Sequence, residues 1–157
     1  VRETPFQRLL SSPLLRARQS AEVISRALAL PVQVIPAFCE RHVGVFEGLT
    51  QAEARIRYPE LWARNITRRW DEAPTDGESL DAVIARVSSG LITLADEARG
   101  ERVLLVAHGV VAKVIRALTS SGFADFFEWQ LHNGGRLVAN IPQAQSPIRF
   151  HRPAGQD

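Results

Sequence analysis

The chain has 157 residues, of which 45% are hydrophobic and 23% charged, as in an ordinary soluble globular domain with a buried core. A formal charge of +2 gives little reason to expect nucleic acid as a partner, and no apolar run is long enough to span a membrane. The polar segment from Val1 to Pro5 lacks a signal-peptide pattern, so we expect a cytoplasmic protein. A single cysteine, Cys39, excludes a disulfide framework.

The first third of the sequence predicts a strand, a helix and a second strand. The first strand covers residues 6–10, and Ser12 followed by Pro13 is typical of a helix start. The second strand covers residues 32–34. Apolar residues of the helix repeat with the helical period, and we expect these to be buried: Leu14, Leu15, Ala21, Ile24 and Leu28.

The middle of the sequence predicts three helices. Residues 50–53 form a capping box, which starts a short helix, and another helical stretch covers residues 61–70. A turn over residues 74–77 precedes the clearest helix, which covers residues 79–98 and has one apolar face.

The last third predicts further strands around one helix. Residues 103–106 are all apolar, a pattern typical of a strand buried on both faces of a parallel sheet, and a helix follows His108-Gly109. Residues 136–141 and 148–151 are also predicted to be strands. Strands that alternate with helices indicate an α/β fold with a mainly parallel sheet.

The strand ends predict one crevice, because ligands of parallel sheets bind at the carboxyl ends of the strands. Ser11, the loop after Val34 and His108 should all approach it. Because His108 precedes a helix, it lies beside free backbone N–H groups that favour an anion. A structural histidine that bonds a carbonyl fits this motif alone equally well.

Two more residues are candidates for the same crevice. From the first turns of the first helix, the Arg16 guanidinium could point into it; the alternative is a solvated helix arginine. Glu40 begins a loop with two acids and two glycines, and apolar neighbours could shield it as a general acid. The alternative, an exposed loop acid, fits Glu47 better.

Together these segments resemble the histidine phosphatase family, in which phosphoglycerate mutases also fall. The resemblance runs over nearly the whole chain and depends on residues 6–21, 40–48, 77–79, 103–109 and Asn133-Gly134. It implies a phosphoglycerate mutase-like three-layer sandwich, in which helices flank a mainly parallel central sheet. It also implies a single domain over residues 1–157.

The resemblance implies roles for individual residues. Arg16 matches a phosphate-binding arginine, and His108 matches the second active-site histidine, which binds and polarises the phosphoryl oxygens. Glu40 matches the acid that protonates the leaving oxygen, and the backbone N–H of Val110 is a further phosphate contact. The implied mechanism is two-step transfer through a phosphohistidine, which needs neither a metal nor another cofactor.

The sequence departs from the family at one motif. The family's Arg-His-Gly, which supplies the nucleophilic histidine and another phosphate-binding arginine, does not occur in the 157 residues. We therefore expect the sequence to lack the first strand, catalytic loop and first helix, since loss of a central strand would leave apolar strands unpaired. The absence of methionine, including at Val1, points the same way. The alternative is a chain that starts at Val1 as an inactive, phosphate-binding pseudophosphatase.

The expected activity is hydrolysis of a small phosphorylated metabolite, because the region between Trp70 and Ser79 is short, as in compact phosphatases. The alternative is phosphoglycerate mutase-type transfer, with Arg68 and Arg69 as carboxylate-binding arginines rather than solvated ones. Arg41 and His42 are further candidates for substrate contact. We expect a small phosphorylated substrate as partner, neither nucleic acid nor membrane, and leave a homodimer open.

Overall fold

The computed structural model of the chain describes residues 5–141. These residues form two compact units. The sheet unit contains residues 5–40 and 86–141, and the inserted unit contains Arg41–Ala85. The predicted catalytic residues Glu40 and His108 and the predicted phosphate-binding residue Arg16 all belong to the sheet unit.

The sheet unit is built on three parallel strands. Strand β1 (Arg8–Ser11) lies between β2 (Val32–Val34) and β3 (Val103–Val106). Leu9 of β1 is fully buried and pairs with residues of both neighbouring strands. The α/β fold and its parallel sheet are thus confirmed.

Strand β3 is less buried than its sequence predicts. All four of its residues are half-buried, although all four are apolar. The strand order explains this difference, because β3 pairs with β1 on one side and with no other strand of residues 5–141. The prediction that β3 is buried on both faces was therefore wrong for the described chain.

Helix α1 (Leu15–Leu28) packs against all three strands, but only part of the predicted face is buried: Ala21 is buried as predicted, whereas Leu15 and Leu28 are exposed. Its buried residues are Ala17 and Ala21, while Leu15 is 69% exposed. Small alanine side chains allow the helix backbone to lie close to the strands, and the leucines at the helix ends project away. The predicted helix start was also wrong, since Leu14 occupies the N-cap position.

Two further helices match their predictions closely. Helix α4 (Leu80–Glu97) begins in the inserted unit and continues into the sheet unit. Its predicted apolar face is buried, with Val83, Val87 and Leu91 at most 1% exposed. Helix α5 (Gly109–Arg116) follows β3 directly, and Val111 and Val114 on its buried face are fully inaccessible.

The inserted unit contains two short helices, α2 (Gln51–Arg57) and α3 (Pro59–Ala63). The predicted capping box is present, with Glu53 N–H donating to the Thr50 hydroxyl and the Glu53 carboxylate accepting from Thr50 N–H. The helix predicted over residues 61–70 is wrong in extent. Asn65 has a left-handed φ of 51°, which ends the helix, and a separate 3₁₀ turn follows.

The predicted strand over residues 136–141 is wrong, because this segment is irregular and Val138 is 90% exposed. A strand needs a hydrogen-bonded partner, and none of the strands in residues 5–141 pairs with it. The strand predicted over 148–151 lies outside the described residues. Within residues 5–141, no helix is long and apolar enough to cross a membrane.

Candidate active site

The carboxyl ends of the three strands meet at one edge of the sheet. Ser12 N–H donates to the carbonyl of Val106 at 2.9 Å, which joins the ends of β1 and β3. Ile35 N–H donates to the carbonyl of Ser11, also at 2.9 Å, which joins the ends of β2 and β1. The chain continues from these ends towards Arg16, Glu40 and His108, as the parallel-sheet rule predicts.

A buried serine holds the histidine at this edge. The Nε2 atom of His108 lies 2.7 Å from the hydroxyl oxygen of Ser12, which is fully buried. The same oxygen accepts a hydrogen bond from Leu14 N–H at 3.3 Å. The Ser12 hydroxyl is therefore fixed in place, and it fixes the orientation of the imidazole ring.

Sequence reasoning missed this role of Ser12. The residue was predicted to cap the first helix, but the N-cap is Leu14 and the Ser12 side chain faces the histidine instead. The available signal was Ser11-Ser12, a pair of small hydroxyl residues directly after a buried strand.

Two of the predicted residues, Glu40 and Arg16, act electrostatically on His108. Partial burial lowers the pKa of His108, the nearby Glu40 carboxylate raises it, and the Arg16 guanidinium lowers it. Because burial and Arg16 prevail, the neutral imidazole is favoured near neutral pH. Arg16 is exposed, whereas Glu40 and His108 are half-buried, so the group is open to a solute.

The start of α5 holds the acidic member of this group. Val110 N–H donates to Oε2 of Glu40 at 3.3 Å. A Cβ atom on Gly109 would lie 3.9 Å from the same oxygen, so the backbone passes close to the carboxylate. The N–H predicted to bind phosphate therefore contacts an anionic oxygen here, and its role towards phosphate stays a prediction.

The chain matches a known protein family over most of its length. The sequence model of the histidine phosphatase superfamily (branch 1) matches residues 1–150. The chain belongs to this superfamily. The resemblance inferred from the sequence is thus confirmed.

Individual histidine phosphatases and related proteins are similar over part of their length. The chain is 40% identical over 114 residues to the bifunctional protein Rv2228c of Mycobacterium tuberculosis, a match over 70% of this chain and 30% of that protein. It is 36% identical over 107 residues to a metal-independent phosphoserine phosphatase of Arabidopsis thaliana, over 67% of this chain and 45% of that protein. The chain thus spans less than half the length of these two relatives.

A solved structure shares the fold. Mycobacterial glucosyl-3-phosphoglycerate phosphatase, in its complex with inorganic phosphate, superimposes with a TM-score of 0.67 at 26% identity. The match covers 80% of this chain and 65% of that one. The chain therefore shares its α/β fold with this phosphatase.

The first two candidate substrate contacts, Arg41 and His42, lie in the inserted unit. Arg41 is only 6% exposed and donates to the carbonyls of Glu78, at 3.0 Å, and Thr67, at 2.6 Å. His42 is exposed, and its Nδ1 lies 3.0 Å from the carbonyl of Asp76. These observed contacts are with the protein backbone, and the substrate roles of both residues stay predictions.

The other two candidates, Arg68 and Arg69, are exposed at the end of the 3₁₀ turn Ile66–Arg68. Arg69 donates through Nε to the carbonyl of Arg64 at 3.4 Å, a long hydrogen bond that restrains the side chain weakly. Their proposed role as carboxylate-binding residues also stays a prediction.

The sequence predicts no metal site. Nowhere in residues 5–141 do three or more His, Cys, Asp or Glu side chains lie close enough together to hold a metal ion.

Proposed function

We propose that the complete protein is a phosphomonoesterase that hydrolyses a small phosphorylated metabolite through a phosphohistidine intermediate, without a metal or other cofactor. The observation that carries this proposal is the hydrogen bond that places the Glu40 carboxylate at the start of α5, two residues after His108, together with the electrostatic influence of Glu40 and Arg16 on that histidine. Membership of the histidine phosphatase superfamily supports it. The Arabidopsis relative, a metal-independent phosphoserine phosphatase, supports the same class of reaction.

Each residue of this group has a distinct task in the proposed reaction. Arg16 supplies a permanent positive charge for the phosphoryl oxygens, since a guanidinium stays protonated at any working pH. His108 is held by Ser12 and adds a directed hydrogen bond to the same oxygens. Preorganised donors of this kind stabilise the charge that develops during phosphoryl transfer.

Glu40 acts as acid and then as base. In the first step a histidine nitrogen attacks phosphorus, the ester P–O bond breaks, and Glu40 gives its proton to the leaving oxygen. In the second step water attacks the phosphohistidine, Glu40 takes a proton from that water, and inorganic phosphate leaves. We assign the nucleophile to none of the 157 residues, because the family's Arg-His-Gly motif does not occur among them.

The test uses the product of the complete reading frame with p-nitrophenyl phosphate in the presence of a chelator. We expect turnover to continue, and the substitution His108→Ala to reduce kcat/KM by about 10²–10³-fold, the usual effect of removing one preorganised donor. His132→Ala is the matched control, because His132 is an exposed histidine outside the group. Loss of turnover on chelation, or a His108→Ala variant as active as the parent, would overturn the proposal.

Two alternative functions predict different outcomes in further assays of the complete protein. A phosphoglycerate mutase would interconvert phosphoglycerate isomers, and the exposed pair Arg68-Arg69 is the feature that favours it. An inactive pseudophosphatase would bind inorganic phosphate or vanadate in a calorimeter through Arg16 and His108 without turning over any ester. A panel of phosphorylated metabolites, followed by both hydrolysis and isomerisation assays, separates the three.

A further inference from the structure

One arginine side chain donates several hydrogen bonds to the backbone segment that ends at Glu40. Arg86, in the sheet-unit part of α4, donates through Nη1 to the carbonyls of Ala37 at 2.9 Å and Cys39 at 2.7 Å. Through Nη2 it donates to the carbonyl of Glu40 at 3.2 Å. From these contacts we infer that Arg86 is a positioning residue, which sets the place of the Glu40 carboxyl; this inference rests on the proposed role of Glu40 as the acid.

The segment needs such a donor because it has little regular structure of its own. Only a 3₁₀ turn, Pro36–Phe38, precedes Glu40, and Cys39 and Glu40 belong to no helix or strand. Backbone carbonyls in such a segment require hydrogen-bond donors from elsewhere. A planar guanidinium can serve three carbonyls at once in fixed directions, which a lysine ammonium cannot do with the same geometry.

The same helix allows the segment to approach closely. Gly90 lies one turn after Arg86 on α4. A Cβ atom at Gly90 would lie 2.8 Å from Cβ of Ala37 and 3.3 Å from the ring of Phe38, which is fully buried. Glycine is unfavourable inside a helix relative to alanine, so a close contact of this kind accounts for its presence.

The other end of the segment reaches the active site. The Glu40 backbone contacts Arg86, while its carboxylate accepts from Val110 N–H and acts electrostatically on His108. A displacement of the backbone at Glu40 therefore moves the carboxyl relative to the histidine. Acid catalysis is sensitive to shifts of about 1 Å in the position of the acid. Loss of the Arg86 hydrogen bonds should therefore slow proton transfer to the leaving group more than it weakens phosphate binding.

The decisive experiment compares two substrates in the complete protein. The first, p-nitrophenyl phosphate, has a leaving group that needs little protonation, and the second, an alkyl phosphate, depends on the acid. For Arg86→Met we expect kcat/KM to fall about 10²-fold with the alkyl ester, at the low end of general acid effects, and about threefold or less with the aryl ester. Glu40→Gln should show the same pattern, and Arg86→Lys an intermediate one.

Further variants separate positioning from a general loss of structure. Arg99→Met is the matched control, since Arg99 is an exposed arginine with a 3.5 Å surface ion pair to Asp96. Gly90→Ala should reproduce the substrate-dependent loss without removing a charge, and Ala37→Gly in the same chain should restore part of the rate. The inhibition constant of inorganic phosphate should stay within about threefold throughout, because Arg16 and His108 are unchanged.

An NMR titration of His108 gives a readout that needs no turnover. The Glu40 carboxylate raises the pKa of His108, so displacing or neutralising it should lower that pKa. Arg86→Met should therefore shift the His108 titration in the same direction as Glu40→Gln.

Equal losses on both substrates, or an unmoved His108 titration, would overturn the inference. A parent protein without phosphatase activity would overturn the proposed function instead, and the titration would still decide the role of Arg86.

Discussion

The sheet unit and the inserted unit each contain an arginine whose donors go to backbone carbonyls. Arg86 serves three carbonyls within residues 37–40, a segment that ends at the proposed acid. Arg41 serves the carbonyls of Thr67 and Glu78, which lie 26 and 37 residues away along the chain. The hydrogen bonds of Arg86 therefore hold one short segment in position, whereas those of Arg41 connect loops of the inserted unit that are distant in sequence.

The loss of an arginine that donates to backbone carbonyls can therefore affect either the reaction rate or the stability of the fold. When the carbonyls belong to a segment that carries a reactive side chain, the loss of the arginine should appear in the rate. When they belong to loops without such a side chain, the loss should appear in stability. Substitutions in the inserted unit should therefore change unfolding, and substitutions near His108 should change phosphoryl transfer.

The largest effect is expected for Gly44→Ala in the inserted unit. Gly44 has a φ of +57°, and a Cβ there would lie 1.9 Å from the carbonyl oxygen of Thr75 and 2.6 Å from the nitrogen of Gly77. Overpacking and left-handed strain together should lower the free energy of unfolding by about 4 kcal/mol, measured by urea denaturation. Gly48→Ala is the control, since Gly48 has a φ of +73° but no atom within 4 Å of its Cβ position. A similar loss in both variants would contradict the steric explanation.

Arg41→Met should have the next largest effect. The substitution removes the guanidinium that donates to the carbonyls of Thr67 and Glu78. Arg41 itself is only 6% exposed. Unsatisfied buried groups cost about 1–3 kcal/mol each, so we expect the free energy of unfolding to fall by about 3 kcal/mol. Urea denaturation measures this loss.

The same variant tests the substrate role predicted for Arg41 from the sequence. Under conditions where the variant stays folded, we expect KM to change less than twofold. A rise in KM of about 10-fold or more, with unchanged stability, would show that Arg41 contacts the substrate and does not merely hold the loops of the inserted unit together.

Much of the fold could be predicted because local patterns and packing agreed. The capping box at Thr50 and the apolar face of α4 were confirmed for this reason. The buried face of α1 was confirmed only in part: Ala21 is buried as predicted, but small Ala17, rather than Leu15 and Leu28, completes the face against the sheet. For β3, burial depends on which strands lie beside it, and an apolar sequence does not contain that information.

The site shows the same limit. The approach of Glu40 to the residues that follow β3 was predicted from the sequence, because the carboxyl ends of parallel strands meet at one edge of the sheet. Ser12 and Arg86 were missed because their tasks consist of hydrogen bonds to partners 96 residues away in one case and 46–49 in the other. Such roles become visible only when the fold brings the partners together.

Ser12→Ala should have a moderate effect, confined to the chemistry of the sheet unit. It removes the hydroxyl 2.7 Å from Nε2 of His108 and leaves the ring free to rotate. Because the imidazole itself remains, we expect kcat/KM for p-nitrophenyl phosphate to fall about 10-fold, less than for His108→Ala. Ser20→Ala is the control, since its hydroxyl donates to the Arg16 carbonyl on an exposed part of α1. A loss as large as that of His108→Ala would assign Ser12 a direct role in the reaction.

The smallest expected effect is a shift in the titration of His108. Arg16 and burial lower the pKa of this histidine, so Arg16→Gln should raise it, whereas Arg18→Gln, at an exposed position on the same helix, should leave it nearly unchanged. NMR titration of the imidazole measures both. An unmoved His108 in Arg16→Gln would show that the guanidinium is not close enough to share a phosphoryl group with the histidine.

The sign of the shift also fixes how His108 affects stability. A folded pKa below the unfolded value of about 6.5 means that the unfolded chain binds more protons near that pH. The contribution of His108 is therefore fully present above pH 6.5 or so and declines as the pH falls through the lower folded pKa. Arg16→Gln should reduce this decline because it brings the two pKa values closer. Urea denaturation at several pH values would show the smaller slope, and an unchanged or increased slope would mean that the Arg16 guanidinium does not lower the pKa of His108.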